Sequence, residues 1–161
     1  MKMVTVGIGE LKVSDDPEDV LVTYALGSCI AVLVHDPVRR VGGMIHYMLP
    51  ESSVKPEKSL QRPGMFADTG VPLLFESMYA RACRRSDLVV KVAGGASIQD
   101  DKGYFAIGKR NYTILRKMFW RSGFAITAES VGGRVSRTVR LFVGNGRTTV
   151  RASDLNQEVA F

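Results

Sequence analysis

The sequence has few of the residues that build metal sites and disulfide scaffolds. Its 161 residues include two cysteines and two histidines. Cys29 and Cys83 stand far apart and without C-x-x-C spacing, which supports neither a zinc site nor a disulfide. Each cysteine is therefore a free thiol whose role depends on its own surroundings.

Long hydrophobic runs are missing as well. The longest apolar stretches are about six residues, and no basic region followed by an apolar one opens the chain, so we expect neither a membrane-spanning helix nor a secretory signal. A hydrophobic content of 45% is enough to bury a core. We expect a cytoplasmic protein of one domain, residues 1–161, with a flexible tail at 152–161 and no insertion into a membrane.

Charge of one sign is in excess, but it is not accompanied by a nucleic-acid motif. The formal charge is +6, from 22 basic and 16 acidic residues. Arginines collect near residues 81–85 and across 134–151, and aromatic residues do not interleave with them as they would on a single-strand binding surface. A solvated basic surface and an acidic partner both remain open, whereas nucleic-acid binding is disfavoured.

Residue patterns predict the secondary structure. Apolar and β-branched stretches between turn residues predict strands: 4–8, 20–24, 30–35, 41–49, 88–93, 124–129, 138–143 and 148–151. One helix is predicted to begin near Asp68 or Thr69, either of which can cap it, and a second to run from about Asn111 to Gly123. Residues 50–64 hold three prolines and predict a long loop, of a kind that often acts as a lid or binding segment.

These elements predict a mixed α/β domain of the α+β type. We expect a single layered sandwich in which two main helices pack on one mixed, mostly antiparallel sheet, since only the two helical segments could make helical crossovers.

One cysteine is placed as a nucleophile would be. Cys29 follows Gly27-Ser28 at the start of a predicted strand, and Gly27 allows a tight turn whose N–H groups could hold the oxyanion of a tetrahedral intermediate. A thiol is mostly protonated at neutral pH, so the interpretation requires a neighbouring base.

Only two imidazoles could supply that base. A hairpin of strands 30–35 and 41–49 places Cys29 and His46 near the same end of adjacent strands, within a register error of two or three residues. His35, beside the predicted turn, fits a surface residue.

Each assignment has a plainer alternative. A cysteine in an apolar stretch is more often an inert core residue, and the same holds for a lone histidine. Cys83 lies among arginines that could lower its pKa, but it has no histidine or glycine turn beside it. Gly94-Gly95-Ala96-Ser97 matches no phosphate-loop motif, which favours a close backbone approach near a cleft.

An ordered set of short motifs carries a resemblance. The chain resembles the chemoreceptor glutamine deamidases (CheD-like) of bacterial and archaeal chemotaxis. The matching pieces are Val6-Gly7-Ile8-Gly9-Glu10, Thr23, Leu26-Gly27-Ser28-Cys29, His46-x-Met48-Leu49-Pro50, Phe66-Ala67-Asp68-Thr69, Lys91-Val92-Ala93-Gly94-Gly95-Ala96-Ser97, Ile107-Gly108-x-Arg110-Asn111 and Gly132-Gly133. Each piece is weak alone, but together they cover most of the chain in the family's order.

The resemblance implies an activity and roles for site residues. Cys29 matches the nucleophile, His46 the base and Thr23 the residue that orients the histidine. The implied enzyme is an amidohydrolase that converts glutamines on receptor cytoplasmic helices to glutamate through a thioester, with no metal or organic cofactor. The oxyanion and substrate-binding set that it implies is Gly27, Ser28, Gly94, Gly95, Ser97 and Asp68. The family is also similar in fold to toxin-type cysteine deamidases and can bind a chemotaxis phosphatase.

This sequence departs from the family pattern at three places. Ser130 precedes Val131-Gly132-Gly133 where a carboxylate is usual, Ile98 and Gln99 replace a methionine and an aromatic residue, and Ala25 replaces a glycine. Two functions therefore stay open. The first is an active deamidase, which could also cleave receptor methyl esters. The second is a non-catalytic chemotaxis adaptor that binds a response-regulator phosphatase.

Overall fold

The computed structural model describes residues 1–98 and 106–161. Within these residues the strands are β1 (Lys2–Thr5), β2 (Leu11–Ser14), β3 (Asp19–Leu26), β4 (Ile30–Asp36), β5 (Val41–Tyr47), β6 (Val89–Gly94), β7 (Ala128–Val131), β8 (Arg137–Phe142), β9 (Thr148–Ala152) and β10 (Val159–Ala160). The α-helices are α1 (Pro56–Gln61), α2 (Ala67–Tyr79) and α3 (Ile107–Ser122), and single 3₁₀ turns occupy Ser52–Val54, Pro63–Met65 and Arg85–Asp87. None of these helices is long and apolar enough to cross a membrane.

The strands form two five-stranded sheets within the described residues. The first sheet has the order β1-β3-β8-β9-β10, and the second has the order β2-β5-β4-β6-β7. Pairing is antiparallel except between β1 and β3 and between β6 and β7.

The second sheet is the middle layer of the molecule, and β4 shows why. Every residue of β4 is buried. Ile30 and Val32 face the core that the helices cover, whereas Ala31 and Leu33 face the core shared with the first sheet. A continuous apolar run suits a strand that is covered on both faces.

The two long helices cover the outer face of the second sheet. Helical spacing predicts an apolar stripe of Val71, Leu74, Phe75, Met78 and Ala82. The first four are buried in that core, whereas Ala82 lies beyond α2 and is exposed. The predicted end of α3 is confirmed too, because Gly123 has φ of 75° and closes the helix in the left-handed conformation.

The fold class is confirmed, but the layering is not as expected. The chain is a mixed α/β protein with mostly antiparallel pairing, yet its strands divide between two sheets where we expected one. The division rests on the pairing of β3 with β8, which lie more than a hundred residues apart. Residue alternation shows which face of a strand is buried, but it does not show which element covers that face.

Several boundaries differ from the predicted ones. Residues 50–64 contain α1 and two 3₁₀ turns in place of an unstructured loop, and strand Leu11–Ser14 was not predicted. Helix α2 begins at Ala67 after Phe66, without a side-chain cap, and α3 begins at Ile107.

Part of the C-terminal segment pairs with the first sheet. Within residues 152–161, for which we expected a flexible tail, Val159–Ala160 pairs with β9 and Phe161 N–H donates to the Thr148 carbonyl at 3.2 Å. Gln99, a departure from the family pattern, lies outside the described residues.

Candidate active site

Adjacent strands bring Thr23, Cys29 and His46 to one place. Across the β4–β5 hairpin His46 stands opposite Ala31, and Cys29 precedes Ala31 by two residues. The side chains of Cys29 and His46 therefore leave the same face of the second sheet. Diagonal cross-strand neighbours of this kind are about 7–8 Å apart, within reach of long side chains. Thr23 meets them from β3, in the first sheet.

The hydroxyl of Thr23 fixes the histidine. Thr23 Oγ1 donates to the Val6 carbonyl at 2.7 Å and lies 2.7 Å from His46 Nδ1. Because its only proton is committed to Val6, the hydroxyl accepts from Nδ1–H, which assigns that tautomer from the hydrogen-bonding partners. His46 Nε2 is then the unprotonated nitrogen, and it has no hydrogen-bond partner in residues 1–98 and 106–161.

Burial keeps both reactive groups neutral. The His46 side chain is buried, which lowers the pKa of its imidazole to about 4. Burial raises the pKa of the Cys29 thiol to about 11. At neutral pH the same sheet face therefore carries a protonated thiol and a neutral imidazole whose Nε2 can accept a proton.

The turn before β4 is held by its three carbonyl groups. The Gly27 carbonyl accepts from Ala96 N–H and the Cys29 carbonyl from Gly95 N–H, each at 2.9 Å. The Ser28 carbonyl accepts from Asn111 Nδ2 at 2.9 Å. In a trans peptide the N–H points opposite to the carbonyl, so the N–H groups of Ser28 and Cys29 point away from Ala96 and Asn111.

The predicted backbone approach is present at Gly94 and Gly95. A Cβ on Gly94, whose φ is +108°, would lie 2.2 Å from the Cys29 carbonyl oxygen, so only glycine fits there. Ser97 N–H donates to the Gly133 carbonyl at 2.9 Å, which holds this segment against the loop after β7. Arg137 lies buried below it, 3.4 Å from the Gly94 carbonyl, and so is not part of a surface cluster of arginines.

The residue that takes up the unusual turn geometry is Ala25 and not Gly27. The pairing of β3 with β8 shifts register between Thr23 and Leu26, and Ala25 within that bulge has φ of 52°. This left-handed conformation is one that glycine, the residue expected here from the family resemblance, adopts more readily than alanine. Gly27 instead leaves room for a neighbour, because a Cβ there would come within 3.1 Å of Ile98 Cδ1.

Asn111 is a site residue to which the sequence assigned no role. It is fully buried on α3, and its Nδ2 donates to the carbonyls of Ser28 and Met48, each at 2.9 Å. The same residue accepts a 2.6 Å hydrogen bond from Tyr47 at its backbone carbonyl. Asn111 thus joins the turn that carries Cys29 to the chain two residues beyond His46. Its place in the family motif was the only signal in the sequence.

Asp68 holds the segment that follows β5. Its carboxylate accepts from Ser52 N–H at 2.9 and 3.1 Å and from Ser52 Oγ at 2.8 Å. The carboxylate therefore anchors residues 50–64 and does not cap α2.

The other cysteine and the other histidine lie apart from this site. Cys83 is buried, and burial, together with the neighbouring Asp36 carboxylate, raises the pKa of its thiol to about 11. His35 is buried, with Nε2 2.8 Å from the Val143 carbonyl, so its prediction as a surface residue is wrong. In the part of the chain that the structure describes, no three His, Cys, Asp or Glu side chains come together as a metal site.

The fold and the site together define a mixed α/β protein with a thiol and an oriented imidazole on one sheet face. A family model described as CheD chemotactic sensory transduction matches residues 48–152. That match begins two residues after His46. Longer matches to whole proteins span the site itself.

Relatives that match most of the chain carry the same family name. A protein of Anaeromyxobacter dehalogenans named probable chemoreceptor glutamine deamidase CheD 2 is 54% identical over 154 residues, which is 96% of this chain and 97% of that relative. One of Syntrophus aciditrophicus, named probable chemoreceptor glutamine deamidase CheD 1, is 50% identical over 93% of this chain and 94% of its own. The chemoreceptor glutamine deamidase CheD of Thermotoga maritima is 42% identical over 91% and 89%. The chain belongs to the CheD family.

Proposed function

We propose that the protein is a cytoplasmic chemoreceptor glutamine deamidase, which hydrolyses particular glutamine side chains on receptor cytoplasmic helices to glutamate. The names of the relatives supply the substrate class. The observation that carries the chemistry is the free Nε2 of His46, which Thr23 orients on the sheet face that also bears Cys29.

The first step forms a thioester. His46 Nε2 takes the thiol proton as Cys29 Sγ attacks the δ-carbon of the glutamine carboxamide. The protonated imidazole then gives that proton to the leaving nitrogen, the C–N bond breaks, and ammonia departs. Because burial disfavours both the thiolate and the imidazolium, proton transfer accompanies attack and a separate ion pair does not form first.

The second step hydrolyses the thioester. His46 Nε2 removes a proton from water as the water oxygen attacks the thioester carbon. The imidazolium then gives this proton to the sulfur as the C–S bond breaks. The products are a glutamate side chain and the thiol of Cys29. The scheme uses no metal and no organic cofactor, and a methyl ester could enter it with methanol as the leaving group.

The oxyanion of both tetrahedral intermediates is assigned to the N–H groups of Ser28 and Cys29. These groups point away from the atoms that hold the turn, and one such donor is typically worth about 3–4 kcal/mol of transition-state stabilisation. Gly27, Gly94 and Gly95 contribute by holding the turn.

Two further residues border the substrate. Ser97 lies on the segment that follows Gly95, and Asp68 anchors residues 50–64 beside the end of β5. We assign both to substrate binding through the loops that they position.

The test is deamidation by matched cysteine variants. Glutamine-bearing receptor cytoplasmic fragments are incubated with wild type, with Cys29→Ala and with Cys83→Ala, and both ammonia and the mass gain of about one dalton per site are followed. We expect release by wild type and by Cys83→Ala, and none by Cys29→Ala.

Two outcomes would contradict the proposal. Release that persists in Cys29→Ala would remove the nucleophile from its role. No release from several receptors, together with equal binding of a chemotaxis phosphatase by wild type and Cys29→Ala, would identify the adaptor function instead.

A further inference from the structure

Helix α3 presents a strongly basic face to solvent. Its sixteen residues contain five lysines and arginines and no aspartate or glutamate. All five cations are exposed: Lys109, Arg110, Arg116, Lys117 and Arg121. A helix with this charge pattern attracts an acidic partner and gains nothing from internal ion pairs.

The only tryptophan of the sequence lies on the same face. Trp120 is 83% exposed, and it falls at helical spacing from Arg116 and Lys117, so these side chains share one surface. The apolar residues around it behave otherwise, since Leu115 and Phe119 are buried in the core. Tryptophan and arginine are among the residue types that most often dominate the binding energy of protein interfaces, so their exposure together indicates an interaction surface.

The N-terminal end of α3 packs against the turn that carries Cys29. Arg110, which is exposed, is adjacent to Asn111, whose side chain contacts the Ser28 carbonyl beside the nucleophile. The rise of an α-helix places Trp120 about 15 Å from Arg110. At that far end lies a surface cleft of about 510 Å³, where the Arg85 guanidinium stacks 4.1 Å from the centre of the Phe124 ring.

We propose that the exposed face of α3, from Lys109 to Arg121, docks an acidic helical segment of the protein substrate, with Trp120 as its apolar anchor. The inference rests on the proposed deamidase function. The basic side chains and Arg85 bind the carboxylates of that segment, and a neighbouring part of the substrate reaches Cys29 past the N-terminal end of α3. A straight surface of this length matches one side of a helix.

A protein segment fits this surface better than a membrane does. A helix that lies in a bilayer inserts a continuous apolar face. The apolar face of α3 is instead buried against the second sheet, and Trp120 is the one large hydrophobic side chain that α3 exposes among the described residues.

Fluorescence of Trp120 tests the docking directly. A tryptophan-free, glutamine-bearing cytoplasmic fragment of a chemoreceptor is titrated into Cys29→Ala, which cannot turn it over. We expect the emission to shift to the blue as Trp120 leaves water. The fragment concentration at the titration midpoint should increase as salt rises, because salt weakens binding between charged groups.

Charge reversal supplies the matched variants. Lys117→Glu with Arg121→Glu should weaken binding at least ten-fold, measured by calorimetry, and in the Cys29 protein should raise KM with little change in kcat. Arg151→Glu, an exposed arginine on β9, is the control for net charge and should bind as the parent does.

The outcomes separate this inference from the proposed function. Binding without a change in Trp120 emission and without sensitivity to the reversal, or no binding at all, overturns the docking surface even if deamidation persists. A blue shift with phosphatidylglycerol vesicles but not with the fragment overturns it in favour of a membrane. A salt-sensitive shift that the reversal abolishes supports it, even where wild type releases no ammonia and the deamidase proposal fails.

Discussion

Thr23 accepts a hydrogen bond from His46, with 2.7 Å between Oγ1 and Nδ1, while its own proton goes to the Val6 carbonyl. The histidine is thus oriented by a neutral partner. A hydroxyl fixes the tautomer as a carboxylate would, but it does not stabilise an imidazolium, which agrees with the lowered pKa of His46.

Replacing Thr23 should disturb catalysis more than folding. Thr23→Val keeps the shape but removes the acceptor, and we expect kcat to fall roughly 10- to 100-fold, because an orienting hydrogen bond contributes about 1–3 kcal/mol. Thr23→Ser keeps the hydroxyl and should retain most activity. Steady-state kinetics with circular dichroism as the fold control measure both. Equal kcat in the valine and serine variants would argue against the orienting role.

The activity of the free enzyme should be flat across neutral pH. His46 must be neutral to accept the proton, so kcat/KM should rise as pH increases through about 4, where the imidazole loses its proton. It should fall only near the pKa of Cys29, about 11, because the thiol then loses the proton that the leaving nitrogen needs.

Alkylation checks the same assignment without substrate. The rate of iodoacetamide reaction at Cys29, measured in Cys83→Ala, should rise up to about pH 11. A plateau already reached below pH 7 would mean that the resting site is a thiolate–imidazolium pair.

Asn111→Ala should loosen the link between the turn that carries Cys29 and the chain just beyond His46. The change leaves the carbonyls of Ser28 and Met48 without their shared donor, and we expect kcat to fall ten-fold or more, with a loss of about 1–3 kcal/mol in the free energy of unfolding. The control is Tyr112→Phe, the next residue of α3, which loses a hydrogen bond to Glu129 away from the turn.

Rescue distinguishes positioning from stability. Asn111→Gln keeps the donor and should recover part of kcat if Asn111 positions the turn. If kcat in all three variants instead follows the melting temperature alone, Asn111 serves only the fold.

Ala25→Gly should stabilise the protein. The left-handed φ of 52° at Ala25 costs an L-residue roughly 1–2 kcal/mol. Glycine removes this strain, but the greater conformational entropy that it gives the unfolded chain offsets part of the gain. We expect a gain of up to about 1 kcal/mol in urea unfolding with unchanged kcat. Ala31→Gly, within buried β4, should instead lose stability; a loss in both variants would contradict the strain assigned to Ala25.

Local patterns predicted what depends on near neighbours. The β4–β5 hairpin, the buried stripe of α2 and the end of α3 at Gly123 follow from alternation, helical spacing and turn chemistry. The hairpin alone predicted that Cys29 and His46 lie near the same end of adjacent strands. The ordered motifs identified the family and, through it, predicted a role for Thr23.

Distant contacts were beyond those patterns. The first sheet depends on the pairing of β8 with β3. The turn that carries Cys29 is held by Asn111, which lies more than eighty residues away. We expected Gly27 to take the unusual conformation of the turn, but Ala25 takes it. The sequence does not show which residue near a tight turn adopts that conformation. In each case the partner is chosen by packing that a linear pattern does not encode.

The hydrogen bonds that hold the Cys29 turn can form only late in the synthesis of the chain. Thr23, Cys29 and His46 leave the ribosome early, within the first third of the chain. The groups that hold their turn, Gly95, Ala96 and Asn111, come much later. A nascent chain therefore carries Thr23, Cys29 and His46 before the residues that hold the Cys29 turn have been made, so we expect truncated products to lack the proposed activity.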